Sequence, residues 1–365
     1  MSLFLTSKAL KLAPRPAMYR RFLTLEKGAV SFAFDIDGVL KYGEEVFPGA
    51  KRALKQLEAE KVPYVLLTNG GGVTDAKRCS LLSKDLGVTI SPTQLIQSHT
   101  PLRETLAKRY ADEAVLIVGG KNDLGRYVAN SYGLNKAFLS IDVKRWQSSV
   151  WPMRELSQED LKYTVEHDFS QTSFKAIIVI NDSRDWGLDI SVMSEILAAR
   201  DGVLGTIKEK VTTANQTVEV IYCNPDLLWK NDYILPRYGA GAFKTAFVEI
   251  HQETFPEHQI QSVQYGKPHR PTYDFAKQML ERRVEELYPG HTRKGGLGTV
   301  YMVGDNPESD IRGANDYNWR SMLVQTGVYQ TENGPPKYAP FRLERNVEDA
   351  VNWALKEHGL AGTSF

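Results

Sequence analysis

The chain has 365 residues, 42% hydrophobic and 24% charged, with a formal net charge of +1. That composition is ordinary for a globular protein, the length suits about two domains at ~150 residues each, and so small a charge supplies no global field for nucleic acid. No run approaches the ~20 apolar residues that span a bilayer, and two cysteines, Cys79 and Cys223, make neither a disulfide framework nor a zinc pattern, so each reads as a free buried thiol.

Residues 1–25 contain no Asp or Glu but carry Lys8, Lys11, Arg15, Arg20 and Arg21 among Ser, Thr and apolar residues. That is the composition of a mitochondrial transit peptide, with cleavage expected between Arg21 and Leu25 and the mature chain in the matrix. Ala29 to Phe34 then reads as a buried strand, ending in Asp35-Ile36-Asp37-Gly38-Val39-Leu40. Residues i and i+2 of a strand share a face, so Asp35 and Asp37 can converge where the strand runs out. Ligands of open parallel sheets bind beyond the carboxyl ends of the strands. Paired carboxylates there suit a hard cation such as Mg²⁺, and an aspartate can also attack phosphorus. Taken alone, the motif fits a solvated turn equally well.

Ala50 to Glu60 has helical spacing. Pro63 to Leu67 reads as the next strand, ending in Thr68-Asn69-Gly70-Gly71-Gly72. Hydroxyl, amide and glycines suit a loop whose N–H groups cradle an anion, ahead of a helix from Thr74 to Leu86 that Gly87 stops. After Pro92 to Tyr110, strands are expected at Ala114–Val118, Phe174–Ile180 and Val218–Tyr222, and helices from Gly120 to Tyr132 and over Ile190–Arg200. Trp146 to Phe169 and Lys208 to Gln216 read as connections. The loop Asn181 to Trp186 is either a polar strand end or a contact to substrate or to a partner's cap. Cys223-Asn224-Pro225-Asp226 closes the last of these strands, and helices follow over Gly239–His251 and Pro271–Glu286. Between those two helices, Tyr265-Gly266-Lys267-Pro268 puts a lysine in a loop, where it can neutralise phosphate charge or simply lie on the surface. Pro289 to Gly298 reads as a surface loop. Gly298 to Val303 is a strand, and it ends in Gly304-Asp305-Asn306-Pro307-Glu308-Ser309-Asp310.

Four motifs at strand ends, in this order, resemble the haloacid dehalogenase superfamily: Asp35-x-Asp37-Gly38-Val39, Thr68-Asn69, Lys267, and Gly304-Asp305-x₄-Asp310. The long gap between Asn69 and Lys267 is similar to class IIA members of the NagD and chronophin type, which insert an α/β cap of the C2 type there. The runs Phe34 to Leu40, Leu66 to Gly72, Gln97-Ser98-His99-Thr100-Pro101 and Met302 to Asp310 look most like the mitochondrial hydrolases named for the cat eye syndrome critical region. The resemblance implies an α/β fold with a doubly wound, Rossmann-like parallel-sheet core at 28–101 and 238–365 and a cap at 102–237. It also implies a Mg²⁺-dependent phosphomonoester hydrolase acting on a small phosphorylated metabolite, such as a glycerol or sugar phosphate, and a possible homodimer through the cap. Asp35 would be the nucleophile and Asp37 the general acid and base. Asp35, the Asp37 carbonyl and Asp305 would hold Mg²⁺, with Asp310 and Asn306 supporting them. Thr68, Asn69, Gly70 and Lys267 would bind the phosphoryl group, and Asn224 and Asp226 would line the cap side. His99 reads as structural. Two alternatives are a binding or regulatory protein with little turnover and a phosphatase of phospholipid headgroups.

Overall fold

A computed structural model describes residues 29–229, 233–290 and 296–360. The segment 1–25 lies outside the described residues, as does part of the expected surface loop at Pro289–Gly298. Two parallel sheets organise the rest. One has six strands in the order Arg342–Glu344, Arg320–Val324, Thr299–Gly304, Val30–Phe34, Tyr64–Leu67, Leu95–Ile96. The other has five, in the order Ser262–Gln264, Glu219–Tyr222, Phe174–Val179, Ala114–Val118, Lys136–Leu139. Every neighbouring pair within them runs parallel.

The central strands are buried at nearly every position, Ser31 included, because both faces of a parallel sheet are covered. Alternation still sorts the side chains. Phe32, Phe34, Tyr64, Leu66, Tyr301 and Val303 pack on one face against Leu54, Leu57, Leu82 and Val351 of three helices. Ala33, Val65, Leu67, Val300 and Met302 face the other way, against Tyr273, Ala276 and Leu280. The first strand pairs with Tyr64–Leu67 on one side and Thr299–Gly304 on the other. The chain therefore leaves it in one direction and returns to its opposite flank, which creates a switch point above Asp35.

The smaller sheet repeats this logic and forms the cap. Leu116, Ile177 and Val220 pack with Val192, Ile196, Phe243 and Phe247. Val115, Ile178 and Ile221 pack with Leu102, Leu106 and Val128. The expected cap boundary at 237 is corrected here. Helix Ala240–Thr254 buries Phe243 and Phe247 in the cap, and Ser262–Gln264 pairs with Val220–Tyr222 as the edge of the cap sheet. Helical spacing announces a buried face but not which sheet receives it. A three-residue polar edge strand carries no period at all.

Other elements differ locally. The helix expected at Ile190 begins a turn earlier, at Trp186, because the Asp185 carboxylate accepts from Leu188 N at 3.1 Å and caps it. A strand at Lys136–Leu139 and a helix at Ser140–Trp146 lie where the sequence pattern gives no expectation. Phe169, at the end of the connection after Trp146, is fully buried and stacks on Phe174. Both cysteines are buried, as expected. No described helix is long and apolar enough to cross a membrane.

Two buried imidazoles hold the cap helices together. Ser194 Oγ lies 2.7 Å from His251 Nδ1, His251 Nε2 lies 2.8 Å from His258 Nδ1, and His258 Nε2 lies 3.1 Å from Gln216 Oε1. Burial, then His258 and Lys208, lowers His251 to about 4. Unfolded histidine titrates near 6.5, so between about 6.5 and 4 the unfolded chain binds a proton that the native chain refuses. This contribution is therefore complete above pH 6.5 and is lost as pH falls, by about 3 kcal/mol for His251 at the bottom of the window. Denaturant melts at pH 7.5, 6.5 and 5.5 should show a steeper loss of stability for the native chain than for His251→Gln. Parallel losses would refute the assignment.

Candidate active site

Asp35 extends the first strand by one residue, its N–H donating to Val303 O at 2.9 Å. The carboxylate therefore projects at the switch point, on a side chain 13% exposed. Asp37, two residues on, is outside the ladder, and its side chain is 58% exposed. Gly38 turns the chain with φ +83°, a conformation that costs glycine little. Asp305 leaves the neighbouring strand end. Any Cβ on Gly38 or Gly327 would collide with the Asp305 carboxylate, so two glycines are needed for the backbone to close around it.

Lys267 joins these segments. Its Nζ lies 2.8 Å from Asp35 Oδ1, 2.8 Å from Asp310 Oδ1 and 2.8 Å from Leu67 O. The side chain is 1% exposed, so this ammonium has exchanged water for two carboxylates and a carbonyl. Burial works against its charge, yet Asp310 and Asp35 overcome that and hold its pKa above the ordinary lysine value. Asp310 spends its other oxygen on the backbone N–H groups of Asp305 and Asn306, at 3.1 and 3.0 Å. It thus shapes the turn and anchors the lysine together.

Asp35, Asp305 and Asp310 each bring a carboxylate oxygen within 4.8 Å of the others. Burial raises Asp35 well above the usual carboxylate value, opposed by Lys267 and reinforced by Asp310 and Asp305. Burial and then Asp310 raise Asp305 to about 7. Three carboxylates against one ammonium leave two negative charges unbalanced when all are ionised. A divalent, oxygen-seeking cation fits that deficit. Asp35 gives one oxygen to Lys267 and Asp305 gives one to Val328 N at 2.6 Å, which leaves the second oxygen of each for a cation.

The expected phosphate loop lies beside this cluster. Thr68 and Asn69 are buried, and Gly70 N donates to Thr68 Oγ1 at 2.9 Å. Asn69 is a three-way bridge. Its Oδ1 accepts from Lys267 N at 2.7 Å, and its Nδ2 donates to Lys267 O at 3.0 Å and to Asp226 Oδ1 at 2.9 Å. Asp226 thus reaches from the cap into the core, and burial, opposed by Asn69 and Lys267, raises it to about 6. Asn224 accepts from Asp226 N at 2.8 Å and holds the turn. Asn306 donates its backbone N–H to Asp310, but its side chain turns away to accept from Glu308 N at 2.9 Å.

Sequence reasoning missed two contributors, the segment Thr326–Val328 and Asp75. The segment Thr326–Val328 reaches Gly38 O through Thr326 Oγ1 at 2.6 Å and Asp305 through Val328 N; its Gly after an apolar run was the available signal. Asn181 approaches Gly72 closely enough that a Cβ on the glycine would collide with its amide, so this cap loop lies against the Thr68–Gly72 loop of the core. Asp75 accepts from Gln97, Thr100, Arg103 and Tyr132 side chains, and Tyr132 OH meets His99 Nδ1 at 2.8 Å. His99 accordingly belongs to a buried network behind the loop.

Comparison with known proteins agrees with this geometry. Haloacid dehalogenase-like hydrolase profiles match residues 32–134 and 264–350. A mitochondrial hydrolase of Saccharomyces cerevisiae is 37% identical over 356 residues, 93% of this chain and 99% of that protein. A Schizosaccharomyces pombe fusion of cardiolipin synthase (CMP-forming) and mitochondrial hydrolase is 39% identical over 331 residues, 90% of this chain but 53% of the fusion. This chain thus spans about half of that relative's length. NagD of E. coli shares the fold at TM-score 0.53 and 18% identity, covering 87% of this chain and 97% of NagD. A 4-nitrophenylphosphatase of Thermotoga maritima does so at 0.56 and 15%, covering 90% and 98%. The chain belongs to the haloacid dehalogenase-like hydrolases, with class IIA structures among its neighbours.

The buried ion cluster sets a stability expectation. Removing one partner of a buried pair leaves uncompensated charge and costs about 3–5 kcal/mol. Lys267→Met should lower the urea unfolding free energy by that amount in chelator-treated protein. A loss below about 1 kcal/mol, the range of surface pairs, would show that the lysine is not paired as described.

Proposed function

We propose that this chain is a Mg²⁺-dependent phosphomonoester hydrolase that works through an aspartyl-phosphate on a small phosphorylated metabolite such as a glycerol or sugar phosphate. The observation that carries the proposal is the buried Asp35–Lys267–Asp310 cluster with Asp305, set against the Thr68–Gly70 loop at a switch point. Mg²⁺ held by Asp35, the Asp37 carbonyl and Asp305 would offset the repulsion between an anionic nucleophile and an anionic phosphate.

The remaining roles fall to the chain itself. An Asp35 oxygen forms a bond to phosphorus while the ester oxygen leaves, taking a proton from the Asp37 carboxyl. Asp37 then accepts a proton from water, whose oxygen attacks phosphorus and frees Asp35 and inorganic phosphate. Lys267, Thr68, the Asn69 backbone and Gly70 neutralise and orient the phosphoryl oxygens, which is the larger part of phosphoryl-transfer catalysis. The cap contact through Asp226 supports a covered site and therefore a small substrate. Relatives named as mitochondrial, and the acid-poor segment at 1–25, support a mitochondrial matrix location. A homodimer through the cap is part of this reading.

Two observations favour phospholipid headgroups as a second substrate class. One relative joins the homologous region to a cardiolipin synthase. The cap segment after Asp226 also exposes Leu227, Leu228, Trp229, Ile234, Leu235 and Tyr238 by 43–86%, a composition suited to a membrane interface.

The test is phosphate release from phosphorylated metabolites and from phosphorylated glycerolipid in vesicles, with Mg²⁺ or chelator, for residues 26–365. Mg²⁺-dependent release should fall at least about 10³-fold in Asp35→Asn, as expected when a nucleophile is lost. Asp37→Asn should also lose turnover yet retain Mg²⁺ binding. Folded protein that binds Mg²⁺ but releases no phosphate from any compound would favour a binding or regulatory role.

A further inference from the structure

Arg78 stands in the second turn of helix Asp75–Leu86, just beyond the phosphate loop. Its Nη2 is 4.0 Å from Asp37 Oδ2, and the two side chains are 26% and 58% exposed. That separation is too long for a hydrogen bond. No other ion pair or side-chain hydrogen bond engages the guanidinium among the described residues. Arg103, which reaches the same helix, is by contrast committed to Asp75 at 3.1 Å. Arg78 therefore offers a planar fork of N–H donors with no acceptor, beside the residue that handles the leaving-group proton.

Geometry says what passes that point. Asp35 attacks phosphorus, so the leaving oxygen lies on the far side of the phosphorus, and Asp37 must reach it to donate a proton. The alcohol portion of the substrate consequently extends past Asp37, within reach of Arg78. We infer that Arg78 receives a second anionic group on the alcohol, so the substrate class is the phosphomonoester of an acidic alcohol. This rests on the phosphatase reading of the site. A guanidinium fork matches a carboxylate or a phosphate oxygen pair, and either source satisfies the geometry. Holding Asp37 in place is the competing role, but a half-exposed contact without a hydrogen bond fixes a carboxylate poorly.

The experiment compares four compounds at saturating Mg²⁺: p-nitrophenyl phosphate, glycerol 3-phosphate, 3-phosphoglycerate and glycerol 1,3-bisphosphate. For the native chain, kcat/KM should favour the two acidic alcohols over glycerol 3-phosphate by about 10- to 100-fold, the range of a charge-assisted hydrogen-bond pair. The better of the two identifies the second anion as carboxylate or phosphate. Arg78→Gln should lose most of that preference, and Arg78→Lys, which keeps charge without the fork, should keep part of it. Equal kcat/KM on acidic and neutral alcohols by the native chain would overturn the inference. So would an Arg78→Gln defect of the same factor on all four compounds, since that places its effect on Asp37 alone. Calorimetric binding of the same compounds to Asp35→Asn reads the preference without turnover. A failure of catalysis is thereby kept separate from a failure of recognition.

Discussion

A single buried ammonium constrains this molecule. Lys267 is out of water and cannot be neutral among the acids it meets, so its partners must arrive together. Asp35 comes from the first strand, Leu67 O from the second, and Asp310 from the turn after Thr299–Gly304. None of these segments can shift without leaving charge unpaired at a cost of several kcal/mol. The same contacts that satisfy the lysine aim Asp35 and position the backbone of Asp305. Electrostatic necessity in the fold and geometry in the site are one requirement.

The cap is tied to this centre through polar contacts more than through a continuous apolar core. Asn69 links the Thr68–Gly72 loop, the Lys267 loop and Asp226 of the cap. Behind it, Asp75 gathers four side-chain donors, including Tyr132 from the cap. The apolar clusters of core and cap are separate. Hydrogen-bonded contacts of this kind can be exchanged for water at small net cost, whereas an apolar interface cannot. A cap joined in this way can admit a substrate and release a product.

Much of this was legible because the decisive residues are locally encoded. A strand of five buried residues leading to Asp35-x-Asp37-Gly38 can be read from its largely apolar run and turn chemistry alone. So can the helix that Thr74 caps and Gly87 ends. The strands and helix after Asp310 were not seen, although Val347, Val351 and Ala354 keep helical spacing, because no chemical motif drew attention to them. The boundary at 237 failed for a deeper reason. Phe243 and Phe247 require burial, and only the packed molecule shows that the cap, not the core, supplies it.

The amino-acid order by itself determined the alternation of strands and helices, the acids at two strand ends, the glycine-bearing loop and the lysine between them. Each depends on neighbours within a few residues, where periodicity and backbone preference act. Tertiary structure alone decided that Lys267 would be shared between Asp35 and Asp310, that Asn69 would reach Asp226, that Val328 would hold Asp305, and that Arg78 would lie uncommitted beside Asp37. Those pairings join residues far apart in the chain. They are set by the order in which strands enter the two sheets, and by the cost of burying a charge without a partner, and neither leaves a local trace in sequence.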